Sequence, residues 1–281
     1  MRALRFDKTG SLDDLAVREV PRPKVGAGEV LIKIVAAAVN PSDIKNVQGK
    51  MHETTIPRTP GRDFAGVIAE GPAELVGQSV FGTGGNLGFG RDGSHAEFVA
   101  VPREAALPMP KGLSFEQAAA VGLAYMTAWE ALVKGARLEA GETALILGTT
   151  GAVGSAAAHI ARRLGARVLG TARNKASIPK PETVPVDVWI DLETTDLALG
   201  ARNATSGSGA NVILDVIGGS MFDKCLSALA HHGRQVAISS TSTPRVSFNL
   251  VDFYHNESRL IGVDTLKLSF SVPRRFQWKV V

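Results

Sequence analysis

The sequence predicts an α/β protein: a β-rich N-terminal domain over residues 1–115, then a doubly wound, parallel-sheet domain over residues 116–268. Three observations carry that prediction. Residues before about 115 are rich in Gly, Pro and Val, with short apolar runs bounded by turn formers. Beyond that point apolar strands alternate with helical segments. A glycine-spaced loop, GTTGAVG at 148–154, joins one of those strands to a helix.

In the first domain, residues 29–39 (EVLIKIVAAAV) and 64–69 (FAGVIA) read as strands. Ser114 is placed to cap a helix over 115–120, with Gln117 at the third position of a capping box. A second helical run, 125–134, stops near Gly135. Strands are then expected at 143–147, 167–171, 186–190, 211–216, 234–238 and 259–263, with a helix from Val153. Residues 269–281 form a short atypical tail.

Composition narrows the function classes. The chain has 281 residues, with 31 Lys and Arg interleaved among 27 Asp and Glu and no long run of one sign, so no nucleic-acid partner is expected. Cys225 is the only cysteine, which excludes an internal disulfide and fits a reducing compartment. Charge interrupts the first seven residues, MRALRFD, so no signal-peptide core is expected there. No apolar stretch reaches the roughly 18 residues of a membrane span. A cytoplasmic location is the expectation.

The loop at 148–154 carries the clearest chemistry. Gly148 allows a sharp turn off the strand, Gly151 removes a Cβ that would block a pyrophosphate, and Gly154 permits close helix–sheet packing. Thr150, Ala152 and Val153 complete the loop and the helix start, whose backbone N–H groups face the phosphates. The following strand discriminates between dinucleotides. An acid at its end grips a ribose 2′-hydroxyl, whereas here it ends Thr171-Ala172-Arg173-Asn174-Lys175. Arg173, with Lys175 and Thr171 assisting, suits a 2′-phosphate, so NADPH is the expected cofactor. The alternative is a solvated arginine in a loop.

The motifs AVNPSD (38–43), PGRDFAG (60–66), GSHAEF (93–98) and TAW (127–129), in that order with the glycine loop, form a specific set. Over nearly all of residues 1–268 the chain resembles the quinone oxidoreductase branch of the medium-chain dehydrogenase/reductase superfamily. The resemblance implies a GroES-like N-terminal domain, a Rossmann domain and an active-site cleft between them. It implies hydride transfer from NADPH to a quinone or α,β-unsaturated carbonyl, and a homodimer formed through the last Rossmann strand. It places Asn40 near the nicotinamide, where a neutral amide suits a developing oxyanion; a plain turn residue before Pro41 is the other role that fits. It also places Thr127, Ile217, Ile238 and Ser239 along the cofactor, with ordinary packing as their alternative. Asp43 corresponds to a scaffold position.

Zinc-dependent relatives carry a cysteine where this chain has Asn40 and a histidine where it has Arg62. One cysteine is too few for their metal sites, so no metal is expected. The adjacent His231 and His232 are expected to project apart, in a loop or at a helix end. The segment after Asn40 lacks the tyrosine of some relatives and reads Gly49-Lys50-Met51-His52, and Leu192 stands where another tyrosine often stacks. The tail at 271–281 does not resemble the usual continuation. A non-catalytic NADPH-binding protein, regulatory or associated with nucleic acid, is the competing reading.

Overall fold

The computed structural model describes residues 1–180, 182–241 and 243–268. The atypical tail expected at 269–281 lies outside the described residues. Contacts divide the chain into two units: Met1–Leu123 joined by the segment from Thr265, and Ala124–Asp264.

In the first unit, β1 (Arg2–Arg5) pairs antiparallel with β2 (Ala16–Glu19). A five-stranded antiparallel sheet is built from β3 (Glu29–Ala36), β4 (Phe64–Glu70), β5 (Ser79–Gly82), β6 (Phe98–Pro102) and β7 (Leu107–Pro108), in the order β6-β3-β4-β5-β7. The two-residue alternation expected of a half-buried sheet sends Val30, Ile32, Ile68, Val99 and Val101 into one apolar cluster with Phe64 and Val80. β3 stops at Ala36, short of the 29–39 run. Beyond it the Ala38 carbonyl lies 3.0 Å from His95 Nε2 and Pro41 opens α1 (Pro41–Val47), so the backbone leaves the ladder.

The second unit holds a six-stranded parallel sheet: β8 (Thr143–Ile146), β9 (Arg167–Ala172), β10 (Val188–Asp191), β11 (Ala210–Asp215), β12 (Leu229–Ala237) and β13 (Arg259–Gly262). Their order, β10-β9-β8-β11-β12-β13, reverses direction between β8 and β11, which is the doubly wound Rossmann arrangement with its switch point there. The middle of each central strand is apolar because both faces are covered, with polar residues such as Asn211 and Asp215 near the ends of β11. Ala144, Ile146, Val212 and Leu214 enter one core while Leu145, Leu147, Leu169 and Ile213 enter the other. The helices are α2 (Phe115–Trp129), α3 (Ala152–Arg163), α4 (Leu197–Ala204), α5 (Phe222–Ala228) and α6 (Leu250–His255). Arg234 adds a clamp, with its two terminal nitrogens 2.7 and 2.6 Å from the Glu142 carboxylate and Nε 3.0 Å from the Ala136 carbonyl. Among the described residues no helix is long and apolar enough to cross a membrane.

Two expectations are corrected. The separate helical runs at 115–120 and 125–134 are one helix, α2, continued by a π-helical turn over Glu130–Gly135. Gly122, inside α2, is there for proximity: a Cβ on it would lie 2.5 Å from Asp63 Oδ1. The capping box is present, with Ser114 N–H donating to Gln117 Oε1 (2.9 Å) and Gln117 N–H to Ser114 Oγ (3.2 Å). The second correction concerns His231 and His232. They lie in β12, their ring centroids are 3.9 Å apart, and both rings face Glu257. In a regular strand neighbouring side chains point to opposite faces. Here the ladder to β11 skips from Leu229 to Arg234, and His232 has φ 63, so the alternation is broken where the two rings meet.

Candidate active site

The glycine loop leaves the carboxyl end of β8 beside the switch point, and each glycine answers a different constraint. Gly148 has φ 60, and a Cβ there would approach Val216 Cγ2 to 2.7 Å. A Cβ on Gly154 would lie 2.2 Å from the Gly148 carbonyl oxygen, so α3 cannot pack against the loop with any other residue. Gly151 is exposed, has an ordinary φ of −88, and meets nothing in the chain closer than 3.3 Å. The fold itself does not demand a glycine at 151. A ligand approaching the N-terminus of α3 would, and a pyrophosphate fits that cradle. Thr150 and Ala152 are exposed beside it and Val153 is half-buried.

A pair of threonines supports the loop from below. Thr149 is fully buried, its Oγ1 donating to the Ile146 carbonyl at 2.5 Å and accepting the Thr171 N–H at 2.9 Å. Thr171 Oγ1 accepts the Gly148 N–H (3.1 Å) and lies 3.3 Å from the Ile146 carbonyl as donor. Thr171 is 2 % exposed and its hydroxyl is engaged with the loop on both sides. Thr149 was missed because a threonine between glycines carries no distinctive sequence signal. Thr171→Val is expected to lower stability by about 1–3 kcal/mol by stranding the Gly148 N–H. The NADPH-to-NADH affinity ratio should not move if the hydroxyl serves the loop alone; a changed ratio in titrations of the variant would assign it a direct role at the phosphate.

Arg173 and Lys175 stand exposed just past β9, and no acid occupies the strand's end. Asn174 between them caps a short 3-10 turn over Lys175–Ser177, accepting the Ser177 N–H at 3.1 Å. Ile217, Ile238 and Ser239, all half-buried, follow β11 and β12 at the same carboxyl edge of the sheet. Asp215 organises them. Its Oδ1 accepts the N–H groups of Ile217 (2.9 Å) and Gly218 (2.8 Å), and its Oδ2 accepts from Gln235 Nε2 (3.2 Å). Thr127 is buried on α2 in the same unit. Cys225 is no nucleophile: burial, and secondarily the Asp215 carboxylate, push its thiol well up.

In the first unit a buried polar cluster surrounds Asn40. Asn40 Nδ2 donates to Asp63 Oδ2 (2.9 Å), and Asp63 Oδ1 accepts the Leu123 N–H (2.9 Å). The Asn40 backbone N–H donates to Asp43 Oδ2 at 2.8 Å, at the start of α1. Arg62, 1 % exposed, donates to the Thr265 carbonyl (3.2 Å) and lies 5.5 Å from the centre of the Phe89 ring. Burial pushes the Asp63 carboxyl up to about 6, against the hydrogen bonds it accepts and with the nearby Asp43 charge adding to the rise. Asp43 is also raised by burial, opposed by the Asn40 N–H and by the basic side chains of His95 and Arg62. One amide proton of Asn40 is thus held by Asp63, which fixes the carboxamide and leaves the second proton for another acceptor. Asp63 carries no mark in the sequence that predicts this role.

Comparison with known proteins agrees with both halves. Residues 26–111 match the family described as the alcohol dehydrogenase GroES-like domain, and residues 152–277 match the zinc-binding dehydrogenase family. A zinc-type alcohol dehydrogenase-like protein of Schizosaccharomyces pombe is 35% identical over 273 residues, covering 96% of this chain and 79% of its own. The quinone oxidoreductase of Homo sapiens is 32% identical over 271 residues, covering 94% and 80% respectively. A solved NAD-dependent alcohol dehydrogenase superposes with a TM-score of 0.86 at 28% identity, covering 93% of this chain and 84% of that one. With a GroES-like sheet, a doubly wound nucleotide sheet and relatives of this closeness, the chain belongs to the medium-chain dehydrogenase/reductase superfamily of NAD(P)H-dependent oxidoreductases.

Proposed function

We propose that the chain is a zinc-independent reductase that passes hydride from NADPH to a quinone or an α,β-unsaturated carbonyl. The observation that carries the choice of NADPH is the end of β9, where Arg173 and Lys175 are exposed and the strand itself ends without an acid. A guanidinium offers a 2′-phosphate paired, charge-assisted hydrogen bonds, while an acid there would repel it. The cofactor supplies the hydride chemistry. The chain supplies binding through the 148–154 loop, with Ile217, Ile238, Ser239 and Thr127 along the cofactor. Asn40 donates its remaining amide proton to the acceptor's oxygen as negative charge grows there. Supporting the zinc-free reading is the donor set: Asn40 is tied to Asp63, and a buried guanidinium at Arg62 repels a cation. The human relative bears the name quinone oxidoreductase, which supports the acceptor class.

Homodimerisation through β13 belongs to the same reading. Among the described residues β13 is the last strand of the sheet, and Leu260 on it is 40% exposed.

Arg173→Asp tests the cofactor assignment. NADPH affinity should fall by roughly 100-fold, about 3 kcal/mol, with NADH affinity nearly unchanged. Fluorescence titration with both nucleotides reads the two constants, and equal losses would remove Arg173 from the phosphate site. NADPH oxidation with a panel of quinones and enones tests the reaction. Tight NADPH binding without turnover on any of them would favour the non-catalytic alternative.

A further inference from the structure

The geometry points to a surface metal site formed by His231, His232 and Glu257, suited to a borderline divalent ion of the zinc class. Among the described residues these three bring one donor atom each to within 4.8 Å of one another. His231 Nε2 lies 3.6 Å from one Glu257 carboxylate oxygen, and His232 Nδ1 lies 3.4 Å from the other. A tetrahedral zinc ion with bonds of about 2.0–2.2 Å sets its donors roughly 3.4 Å apart. The two ring nitrogens approach different oxygens of the Glu257 carboxylate, so a modest side-chain rotation must bring one oxygen toward both rings for the ion to seat. Two imidazoles and one carboxylate leave a fourth position for water. That donor set selects zinc, cobalt, nickel or copper over magnesium and calcium, which require several oxygen ligands.

The surrounding backbone holds this arrangement. Asn256 accepts the His232 N–H at 2.9 Å and sends its own Nδ2 to the Ala230 carbonyl and to Ser258 Oγ, both at 2.9 Å. The strand segment around 230–232 and the turn around 256–258 are therefore stitched together on both sides of the donors. His232 and Glu257 both have left-handed backbone, φ 63 and φ 49, a conformation that non-glycine residues adopt uncommonly. The site sits near the amino end of β12 and the turn leading into β13, whereas the glycine loop lies at the carboxyl end of β8 in the same parallel sheet. It is therefore independent of the nucleotide site and does not rest on the reductase reading.

The test uses the full chain without a histidine tag, stripped of metal by chelation, and titrated with zinc against a chromophoric indicator. One equivalent per chain is expected, and cobalt in its place should give the intense visible bands of four-coordination. His232→Asn, which tolerates left-handed backbone, and Glu257→Gln should each weaken zinc at least roughly tenfold. Their metal-free unfolding midpoints should stay put, and His52→Ala should bind like the parent. The histidine ring resonances of the parent chain give a second readout: zinc should shift those of His231 and His232 and leave His52 unmoved. Absence of saturable binding at a large excess of zinc, or binding unchanged in the His231→Gln/His232→Asn pair, overturns the site and leaves an ordinary ion pair. Shifts confined to other histidines would do the same.

Discussion

Gly154→Val is expected to abolish nucleotide binding and to lower the melting temperature by on the order of 10 °C. The glycine's missing Cβ would lie 2.2 Å from the Gly148 carbonyl oxygen and 2.7 Å from Thr149 Cα, both backbone, so no side-chain rotation relieves the clash. Either α3 moves off the sheet or the loop moves off α3. Overpacking of this kind costs about 3 kcal/mol or more, equivalent to roughly 6–12 °C for a domain of this size. Displacing the loop also scatters the N–H groups that would bind the pyrophosphate. Gly151→Ala supplies the contrast. Its Cβ meets only the Gly148 oxygen at 3.3 Å, so stability should change little while nucleotide affinity falls. Thermal melts and nucleotide titrations on the two variants read both effects. Were Gly151→Ala to bind as tightly as the parent, the cradle at the start of α3 would not be the pyrophosphate site.

The second large effect is expected at Asp63. Asp63→Ala strands the Leu123 N–H and frees the Asn40 amide, at a cost of about 2–5 kcal/mol for two buried donors. The same carboxyl gives a pH signature. Its folded pKa of about 6 lies above the unfolded value near 3.8, so between those values the folded chain binds more protons than the unfolded one. Its contribution is therefore present in full below about pH 4 and lost as pH rises through 6, amounting to roughly 3 kcal/mol. Glu29, Glu142 and Asp187 are held below their ordinary values and act oppositely, losing their contribution on acidification. The difference between parent and Asp63→Asn isolates the Asp63 share. Relative to the parent, the asparagine variant should gain stability between pH 4.5 and 7.5 in urea melts. Parallel curves would mean the carboxyl is ionised throughout.

How far the sequence reveals the molecule depends on the range of the interactions. The glycine loop, β8 and α3 are contiguous, so their chemistry is written in one short stretch, and the strand–loop–helix order follows from it. Asn40, Asp63 and Leu123 meet across separations of 23 and 60 residues, and no local pattern joins them. The place of Gly122 inside α2 has the same kind of cause, a carboxylate distant in sequence. A strand-end hydroxyl near a nucleotide loop, such as Thr171, reads as a ligand in sequence, and its hydrogen bond with the Gly148 N–H is visible only in the fold. The two histidines escape strand logic because one left-handed residue reverses the side on which a ring emerges.

The Asp215 carboxylate, wholly buried and gripping Ile217, Gly218 and Gln235, has a thermodynamic corollary. Loops already immobilised before a ligand arrives surrender little conformational entropy on association. Calorimetry of nucleotide association should accordingly show a heat-capacity change no larger than the contact surface requires, without the excess that accompanies coupled folding.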